Sequence, residues 1–277
     1  MIKPYLYSLV LIINWLSFAP LYASGKILAT PGVSQIEGSA GGGLVPWAQL
    51  AGYASDSEIA ASAFCTRTNV RSFSLGVCGV QLNLYDRVEL SYAKQDFQIK
   101  PLDLIVEPTI IGLKTRLYGD IVYSSWPQIS LGIQRKSLND GSLALALGAK
   151  EDSGTDVYIA MSKLHLAGIF DRNFFWNLTI RHSTANELGI LGYGGANEDP
   201  INLELSSALF IDQHWAVGLE FRQKPNQLGL NESNWKDVFI AWFPNKHMNL
   251  TAAYVDLDTI ANIQQQQGWY FSVMGNF

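Results

Sequence analysis

Trp269-Tyr270-Phe271-Ser272-Val273-Met274-Gly275-Asn276-Phe277 is the stretch of this chain that says most about its architecture. Successive side chains of a β-strand point to opposite faces, so every second residue shares a side. One face then carries four large apolar residues, namely Trp269, Phe271, Val273 and Phe277. The other face carries Tyr270, Ser272 and Asn276. This alternation predicts an amphipathic strand that ends on an aromatic residue.

The composition limits the classes of protein to which such a strand can belong. Of the 277 residues, 16% are charged and 48% are hydrophobic, whereas about 25% charged residues is usual for soluble domains. Beyond the N-terminus, no apolar run reaches the roughly 18 residues of a membrane helix. Two classes remain, a soluble all-β protein and a barrel whose lipid-facing residues alternate along each strand. The net charge of −5 argues against a nucleic-acid partner.

Eleven further strand-length segments precede the last one. Residues 173–184 show the pattern clearly, because Trp176, Leu178 and Ile180 alternate with Asn177, Thr179 and Arg181. About ten residues span a bilayer when a strand is strongly tilted. The predicted segments are 58–67, 72–84, 87–97, 109–119, 128–136, 155–166, 173–184, 201–211, 214–223, 236–243 and 247–256.

The connections between these segments alternate in length. Turns such as Tyr85-Asp86 and Pro244-Asn245-Lys246 are tight, whereas 137–154, 185–200 and 257–267 are long. Outer-membrane barrels have short periplasmic turns and longer extracellular loops, and only a closed sheet pairs every backbone group in lipid. We therefore expect residues 58–277 to form an all-β, transmembrane, antiparallel up-and-down β-barrel of about 12 strands, with 14 as the alternative.

The N-terminal part predicts export. Lys3, the apolar run Leu6 to Phe18 and the small residue at Ala23 are typical of a secretory signal peptide over 1–23. Residues 24–57 are rich in glycine, with Gly41-Gly42-Gly43 among them, and do not fit the strand count. This segment is interpreted equally as a lumen plug, a periplasmic arm or part of an extra strand pair.

Several stretches resemble a known family. They are Gly41-Gly42-Gly43-Leu44-Val45-Pro46-Trp47, Leu84 to Tyr92, Leu147-Gly148-Ala149-Lys150 and Ala241-Trp242-Phe243-Pro244-Asn245-Lys246-His247. They are similar to an uncharacterised family of proteobacterial outer-membrane proteins, a domain-of-unknown-function family. The final strand likewise resembles the C-terminal strands that the barrel-assembly machinery recognises, so Trp269, Phe271, Val273 and Phe277 are expected to form that signal. The resemblance implies a barrel in the outer membrane of a Gram-negative bacterium and implies no reaction.

Cys65 and Cys78, the two cysteines of the chain, are the candidate disulfide. If 58–67 and 72–84 form a hairpin, residues whose numbers sum to 143 lie opposite each other, which pairs Ile59 with Leu84 and Cys65 with Cys78. Both sulfurs then face lipid. Redox catalysis is not expected there, because a reactive thiol needs a polar setting that lowers its pKa.

Charged residues at inward positions are the candidates for lining the lumen. They carry both signs, so they either pair with one another and fill the barrel or border a wetted channel. The ten candidates are Glu58, Arg87, Glu89, Lys114, Arg116, Lys136, Arg181, Glu204, Glu220 and Arg222.

The sequence contains no convincing catalytic or metal site. His182 and Ser183, with Asn186, suggest the residue set of outer-membrane phospholipases, but adjacent strand residues point to opposite faces. The remaining histidines lack the spacing of metal ligands. No cofactor, metal or catalytic residue is predicted.

The favoured function is a passive channel or small-solute transporter. The alternative is a closed structural barrel that acts in surface interactions through its extracellular loops, and a lipid-modifying enzyme is the weaker third hypothesis. The expected partners are outer-membrane lipid, lipopolysaccharide and the barrel-assembly machinery, with a small solute as a further partner if the lumen is open.

Overall fold

The computed structural model describes residues 26–33, 35–196 and 200–277. The predicted signal peptide over 1–23 lies outside these residues. Within the described residues, thirteen strands form one antiparallel sheet. They are β1 (Ile59–Val70), β2 (Phe73–Leu84), β3 (Val88–Ile99), β4 (Leu104–Val106), β5 (Pro108–Tyr118), β6 (Gln128–Leu138), β7 (Ser153–Ile169), β8 (Arg172–His182), β9 (Ile201–Phe210), β10 (Trp215–Arg222), β11 (Trp235–Asn245), β12 (Met248–Asp256) and β13 (Gln267–Asn276).

The sheet closes on itself as a barrel of twelve strands, with β4 and β5 counted as one. Strand β1 pairs with β13 from Ser62↔Asn276 to Val70↔Gly268, while every other long strand pairs with its neighbours in sequence. The short β4 does not count as a separate strand of the barrel. It pairs with β3 in the same register as β5 does, as Phe97↔Val106 and Lys94↔Thr109 show, so β4 and β5 form one interrupted strand. The prediction of a twelve-strand antiparallel barrel is confirmed.

Side-chain alternation divides the barrel into an apolar outer surface and a polar interior. On β3, Leu90 and Tyr92 are exposed on the outside while Glu89 and Ser91 are buried inside. The same rule places Trp269, Phe271 and Val273 of β13 outside, with 55%, 56% and 44% of their surface exposed, and buries Tyr270 and Met274 inside. An outer surface of this kind is suited to the hydrocarbon of a membrane, because its large apolar side chains would be exposed unfavourably to water.

The two ends of the barrel differ in their connections. We call the end with turns 85–87, 119–127, 170–171, 211–214 and 246–247 the short-turn end, and the end with connections 71–72, 100–103, 139–152, 183–200, 223–234 and 257–266 the long-loop end. Two-residue hairpins such as Phe170-Asp171 need positive φ, and both residues have it, at 52° and 56°. The predicted loop 98–108 is mostly strand in the structure, because β3 continues to Ile99 and β4 pairs with it.

The long loops contain little regular structure. Helix α1 covers Ser142–Ala146, and single 3₁₀ turns cover Lys100–Leu102 and Glu187–Gly189. None of the helical elements within residues 26–33, 35–196 and 200–277 combines the length and apolar character that a membrane crossing requires.

Candidate functional site in the barrel lumen

Residues 35–54, which we call the inner segment, lie inside the barrel, and all of them are buried. The segment forms no strand of the wall and runs in turns and bends. Glycine allows part of this route, because a Cβ on Gly38 would lie only 2.9 Å from the Cβ of Ala93. Residues 35–54 thus lie where a plug would lie, inside the wall of the barrel.

Glu89 and Lys114 of the wall hold the inner segment by its backbone. Glu89 accepts hydrogen bonds from the backbone N–H groups of Ala40 and Ala51, at 3.0 and 2.8 Å. Lys114 donates to the carbonyl oxygens of Ala40 and Trp47, at 2.8 and 3.2 Å. The two charged groups also lie 3.3 Å apart and form an ion pair. The ion pair between β3 and β5 thus holds the inner segment at Ala40, Trp47 and Ala51.

Other polar side chains of the wall satisfy further backbone groups. An irregular segment has no ladder of its own, so its buried N–H and C=O groups need partners elsewhere. The wall donors and the carbonyl oxygens they reach are Gln81 to Gly38 (2.6 Å), Gln95 to Ile36 (2.7 Å), Asn83 to Ala51 (2.8 Å), Ser130 to Ala48 (2.6 Å) and Thr179 to Pro46 (2.8 Å). The wall of the lumen therefore supplies side-chain donors for backbone carbonyl groups of the inner segment.

Glu37 is the charged centre of the inner segment. Its carboxylate forms ion pairs with Lys136, with Arg181 at 3.2 Å and with Arg222 at 2.7 Å. These cations come from three separate strands, β6, β8 and β10. Because a buried carboxylate needs charged partners, this contact ties the inner segment to the wall on one side of the lumen.

Trp47 is the apolar anchor. Its ring packs against Phe175 with centroids 4.4 Å apart, and its Nε1 donates to Ser206 Oγ at 2.9 Å. Only 4% of its surface is exposed. The anchor therefore combines aromatic packing with a satisfied polar group, as buried tryptophan requires.

Acidic groups outnumber cations at the level of the inner segment. Around the inner segment, and leaving aside the buried Lys163, Lys224 and Glu187 near the barrel ends, four buried cations of the described residues face six buried carboxyl groups. The cations are Lys114, Lys136, Arg181 and Arg222, and the carboxylates are Glu37, Glu89, Asp156, Glu204, Glu220 and Asp237. Every one of these cations has an ion pair with Glu37, Glu89, Asp156 or Glu204. The surplus of negative charge is thus concentrated at Glu220 and Asp237.

Glu220 and Asp237 differ in how well their oxygens are satisfied. Glu220 accepts hydrogen bonds from Ser206 Oγ and from the N–H of Leu44, both at 2.6 Å. The carboxyl group of Asp237 lies against that of Glu220, and no cation of the described residues bonds to it. A methyl group built on Gly43 would lie 3.3 Å from Glu220 and 3.5 Å from Asp237, so both carboxylates border the same turn.

Replacing Asp237 by asparagine is expected to stabilise the barrel. An asparagine amide donates a hydrogen bond to the adjacent Glu220 without adding a second buried acidic group, so we expect the free energy of unfolding in urea to rise by about 1–3 kcal/mol. The matched control is Asp156→Asn, which removes a carboxylate paired with Lys136 and Arg181 and should destabilise. If Asp237→Asn lowers stability as Asp156→Asn does, the charge at 237 has a partner and this account of the surplus is wrong.

Apolar residues close both mouths of the barrel. At the short-turn end, Ile27, Leu28 and Val33 pack with Phe239 and Phe243 around a cavity of about 20 Å³. At the long-loop end, a cavity of about 30 Å³ is bordered by Ile190, Trp235, Leu257 and Ile260. Such volumes hold one or two water molecules. Neither cavity is wide enough for a solute to cross this conformation.

A second charged cluster lies in the loops of the long-loop end. Lys224 pairs with both Glu187 and Glu232, each at 2.5 Å. Burial raises the pKa of Glu187 well above its usual range, and the nearby Glu232 adds to the rise while Lys224 opposes it. One cation lies between two acidic groups, so one of them lacks a counter-charge, and the raised pKa of Glu187 favours its neutral form.

The stability of these loops should therefore depend on pH. A raised folded-state pKa gives a contribution that is complete below the ordinary glutamate pKa of about 4.3 and is lost as pH rises through the folded value. Glu187→Gln should flatten this loss in unfolding midpoints measured from pH 4 upward. Glu151→Gln, at an exposed position in the neighbouring loop, serves as the control. Parallel pH curves for wild type and Glu187→Gln would contradict the prediction.

The structure places seven of the ten lumen candidates inside the barrel. They are Glu89, Lys114, Lys136, Arg181, Glu204, Glu220 and Arg222. The other three lie at the short-turn end and do not line the lumen. Glu58 accepts hydrogen bonds from Ser55, Arg87 is exposed in a turn, and Arg116 pairs with Asp86 and with Asp120 at 3.1 Å. Each of these three residues is an even number of positions from a residue that points into the lumen, so alternation assigns it inward. It lies at or beyond the last paired residue of its strand, however, at the mouth of the barrel.

The other predicted residues are found as follows. Cys65 and Cys78 are opposite each other in the β1–β2 register, joined by a disulfide on the outer surface. Phe277 is exposed at the short-turn end, like the outward residues of β13. His182 is exposed whereas Ser183 is buried and donates to Asp156 at 2.5 Å. Their opposite directions do not make a catalytic pair.

Sequence reasoning missed Glu37, Trp47, Asp156 and Asp237. Glu37 is the one charged residue between Lys26 and Asp56 in the sequence, which was a usable signal for a buried role. Asp156 and Asp237 lie near the starts of strands with apolar residues on both faces, so their direction could not be assigned from alternation.

Solved porins share the fold. A KdgM porin is 10% identical with a TM-score of 0.52, and the match covers 78% of this chain and 99% of the porin. The outer-membrane protein Omp33 of Acinetobacter baumannii is 8% identical with a TM-score of 0.51, covering 80% of this chain and 100% of Omp33. At these identities the likeness concerns the fold alone. It is consistent with the bacterial outer membrane.

The chain has no match among curated proteins. One family, described as a protein of unknown function (DUF3034), matches residues 30–274, which include the inner segment and nearly the whole barrel. The predicted resemblance to a domain-of-unknown-function family is thereby confirmed, and this chain belongs to the DUF3034 family.

Proposed function

We propose that this protein is an outer-membrane channel of a Gram-negative bacterium that its inner segment holds closed at rest. The observation that carries the proposal is the filled lumen, in which residues 35–54 are wholly buried and bonded to a polar wall. The passive channel or small-solute transporter expected from sequence is thus specified as a channel that conducts when this segment moves. Small solutes are the proposed cargo.

The chemistry of the wall supports a channel over a permanently filled barrel. Replacing buried ion pairs by well-packed apolar residues is often neutral or stabilising. Stability alone therefore does not account for Lys114, Lys136, Arg181 and Arg222 in the interior of a barrel that never opens. A wall with these side chains would be wetted once the inner segment left, as the interiors of larger barrels are.

The second candidate is a closed barrel that acts in surface interactions through its loops. Apolar side chains cover the long-loop mouth, and helix α1 and the Glu187–Gly189 turn order two of the loops there. These features favour an ordered surface at the long-loop end, of the kind that contacts a partner. The two candidates differ in whether the inner segment can leave the lumen without loss of the barrel.

Conductance across planar lipid bilayers tests the proposal. We expect the wild-type protein to be closed for most of the recording, Glu37→Gln to open at least about tenfold more often, and a variant lacking residues 35–54 to conduct continuously. A tenfold change corresponds to about 1.4 kcal/mol, well within the cost of losing one buried ion-pair partner.

The fold of each variant is checked by its heat-modifiable migration in gels and by its β-content. If all variants are silent although folded, the channel is excluded and the closed structural barrel stands. If the wild type is open continuously, the inner segment does not close it and the proposal fails in the opposite way.

A further inference from the structure

The outer surface of β1–β3 changes abruptly from apolar to cationic. Towards the short-turn end, the outward residues of these strands are apolar, as Ala63, Val80 and Tyr92 show. Towards the long-loop end they carry charge. We call Arg67, Arg71, Lys94 and Lys100 the outer basic patch, and all four are exposed.

The charges of the outer basic patch are not neutralised by carboxylates. None of the four cations has an ion pair within 4.0 Å among the described residues, although Asp96 lies on the same surface. Their partners are neutral oxygens. Arg67 donates to Ser74 at 3.3 Å, Arg71 to Gln265 at 2.9 Å, and Lys100 to Asn69 at 2.8 Å. In the lumen, by contrast, every cation at the level of the inner segment has a carboxylate.

The positive groups lie close enough to act on one another. Partial burial lowers the pKa of Lys100, and the charge of Arg67 lowers it further. Across the β2 strand, the guanidinium of Arg67 extends over Gly76, since a Cβ there would lie 3.2 Å from Nη1. An anion bound beside Arg67 and Lys100 would meet two positive groups at once and would relieve their repulsion, and it would have to avoid Asp96, which borders Gly76 from β3.

We propose that the outer basic patch binds the phosphate groups of an anionic lipid whose chains lie on the apolar surface next to it. Arginine and lysine are the residues that bind phosphate most effectively, arginine in a bidentate manner. A lipid bears its phosphates directly beside its hydrocarbon, as the surface of β1–β3 bears its cations beside apolar residues. The proposal rests on the proposed outer-membrane channel and on the expectation that the long loops are extracellular, so the ligand is a phosphorylated glycolipid of the outer leaflet.

Native mass spectrometry of the detergent-solubilised full-length protein tests the proposal with defined lipids. Bisphosphorylated lipid A is compared with the same lipid after removal of its phosphates. Arg67→Gln combined with Lys100→Gln is expected to weaken binding of the phosphorylated lipid at least about tenfold. The matched control is Arg87→Gln with Arg172→Gln, which removes two exposed cations at the short-turn end and should change binding less than about twofold, well under the factor of ten that 1.4 kcal/mol gives.

Three results would overturn the proposal. They are equal binding by both double variants, equal binding of the dephosphorylated lipid, and displacement of the lipid by millimolar inorganic phosphate, which would indicate a site for free phosphate. If the first double variant does not fold, Arg71→Gln with Lys94→Gln replaces it with the same expected loss. Because conductance is not measured, failure here is distinguishable from failure of the channel proposal.

Discussion

Replacing Glu37 by glutamine should lower the free energy of unfolding by about 3 kcal/mol, the lower part of the range for breaking a buried ion pair. The carboxylate pairs with Lys136, Arg181 and Arg222, and a neutral amide cannot compensate three cations. The loss is at the lower part because Asp156 and Glu204 still pair with these cations. Urea unfolding of the protein in lipid vesicles, followed by tryptophan fluorescence, measures the change.

Glu58→Gln is the control for this prediction. Glu58 lies before β1 and its carboxylate accepts hydrogen bonds from Ser55 in the adjacent turn, so its substitution should leave the unfolding midpoint almost unchanged. Equal losses for Glu37→Gln and Glu58→Gln would mean that Glu37 is not held in the lumen.

Truncating Trp47 to alanine should cost about 3–5 kcal/mol, the usual range for a large aromatic residue in a core. The substitution removes the packing with Phe175 and leaves Ser206 Oγ without this donor. The same urea experiment measures it, with a lower unfolding midpoint as the expected result.

Trp126→Ala provides the comparison, because Trp126 is 60% exposed at the short-turn end. Its loss should change stability by less than about 1 kcal/mol, as most exposed substitutions do. A Trp47→Ala variant as stable as Trp126→Ala would contradict the assignment of Trp47 as an anchor.

The barrel could be predicted because its constraints are local and repeat along the chain. In the β1–β2 hairpin, the apolar pairs Ile59 with Leu84 and Ala61 with Leu82 are the observed partners. A slip of one residue would move each of these side chains into the lumen. Counting the amphipathic segments predicts twelve strands. The alternation of tight turns with long loops predicts that they follow one another up and down around the barrel.

The lumen could be predicted only in part, because strand parity says nothing about where the wall ends. Glu58, Arg87 and Arg116 have inward parity but lie at the short-turn end. The inner segment was harder still. Its residues follow neither the period of a strand nor that of a helix, and contacts such as that of Glu37 with Arg222 join positions 185 residues apart. Only the tertiary structure brings these residues together.

Disulfide trapping tests most directly whether the inner segment occupies the lumen. The N–H of Ala48 donates to Ser162 Oγ at 2.9 Å on the inner face of β7. In the folded barrel carrying Ala48→Cys and Ser162→Cys, mild oxidation should therefore give a 48–162 cross-link in nearly all molecules, detected by peptide mass spectrometry. Ala48→Cys with Val238→Cys, whose second position faces outward, should give none. A folded barrel with no 48–162 cross-link, in which a water-soluble maleimide labels position 48, would contradict the account.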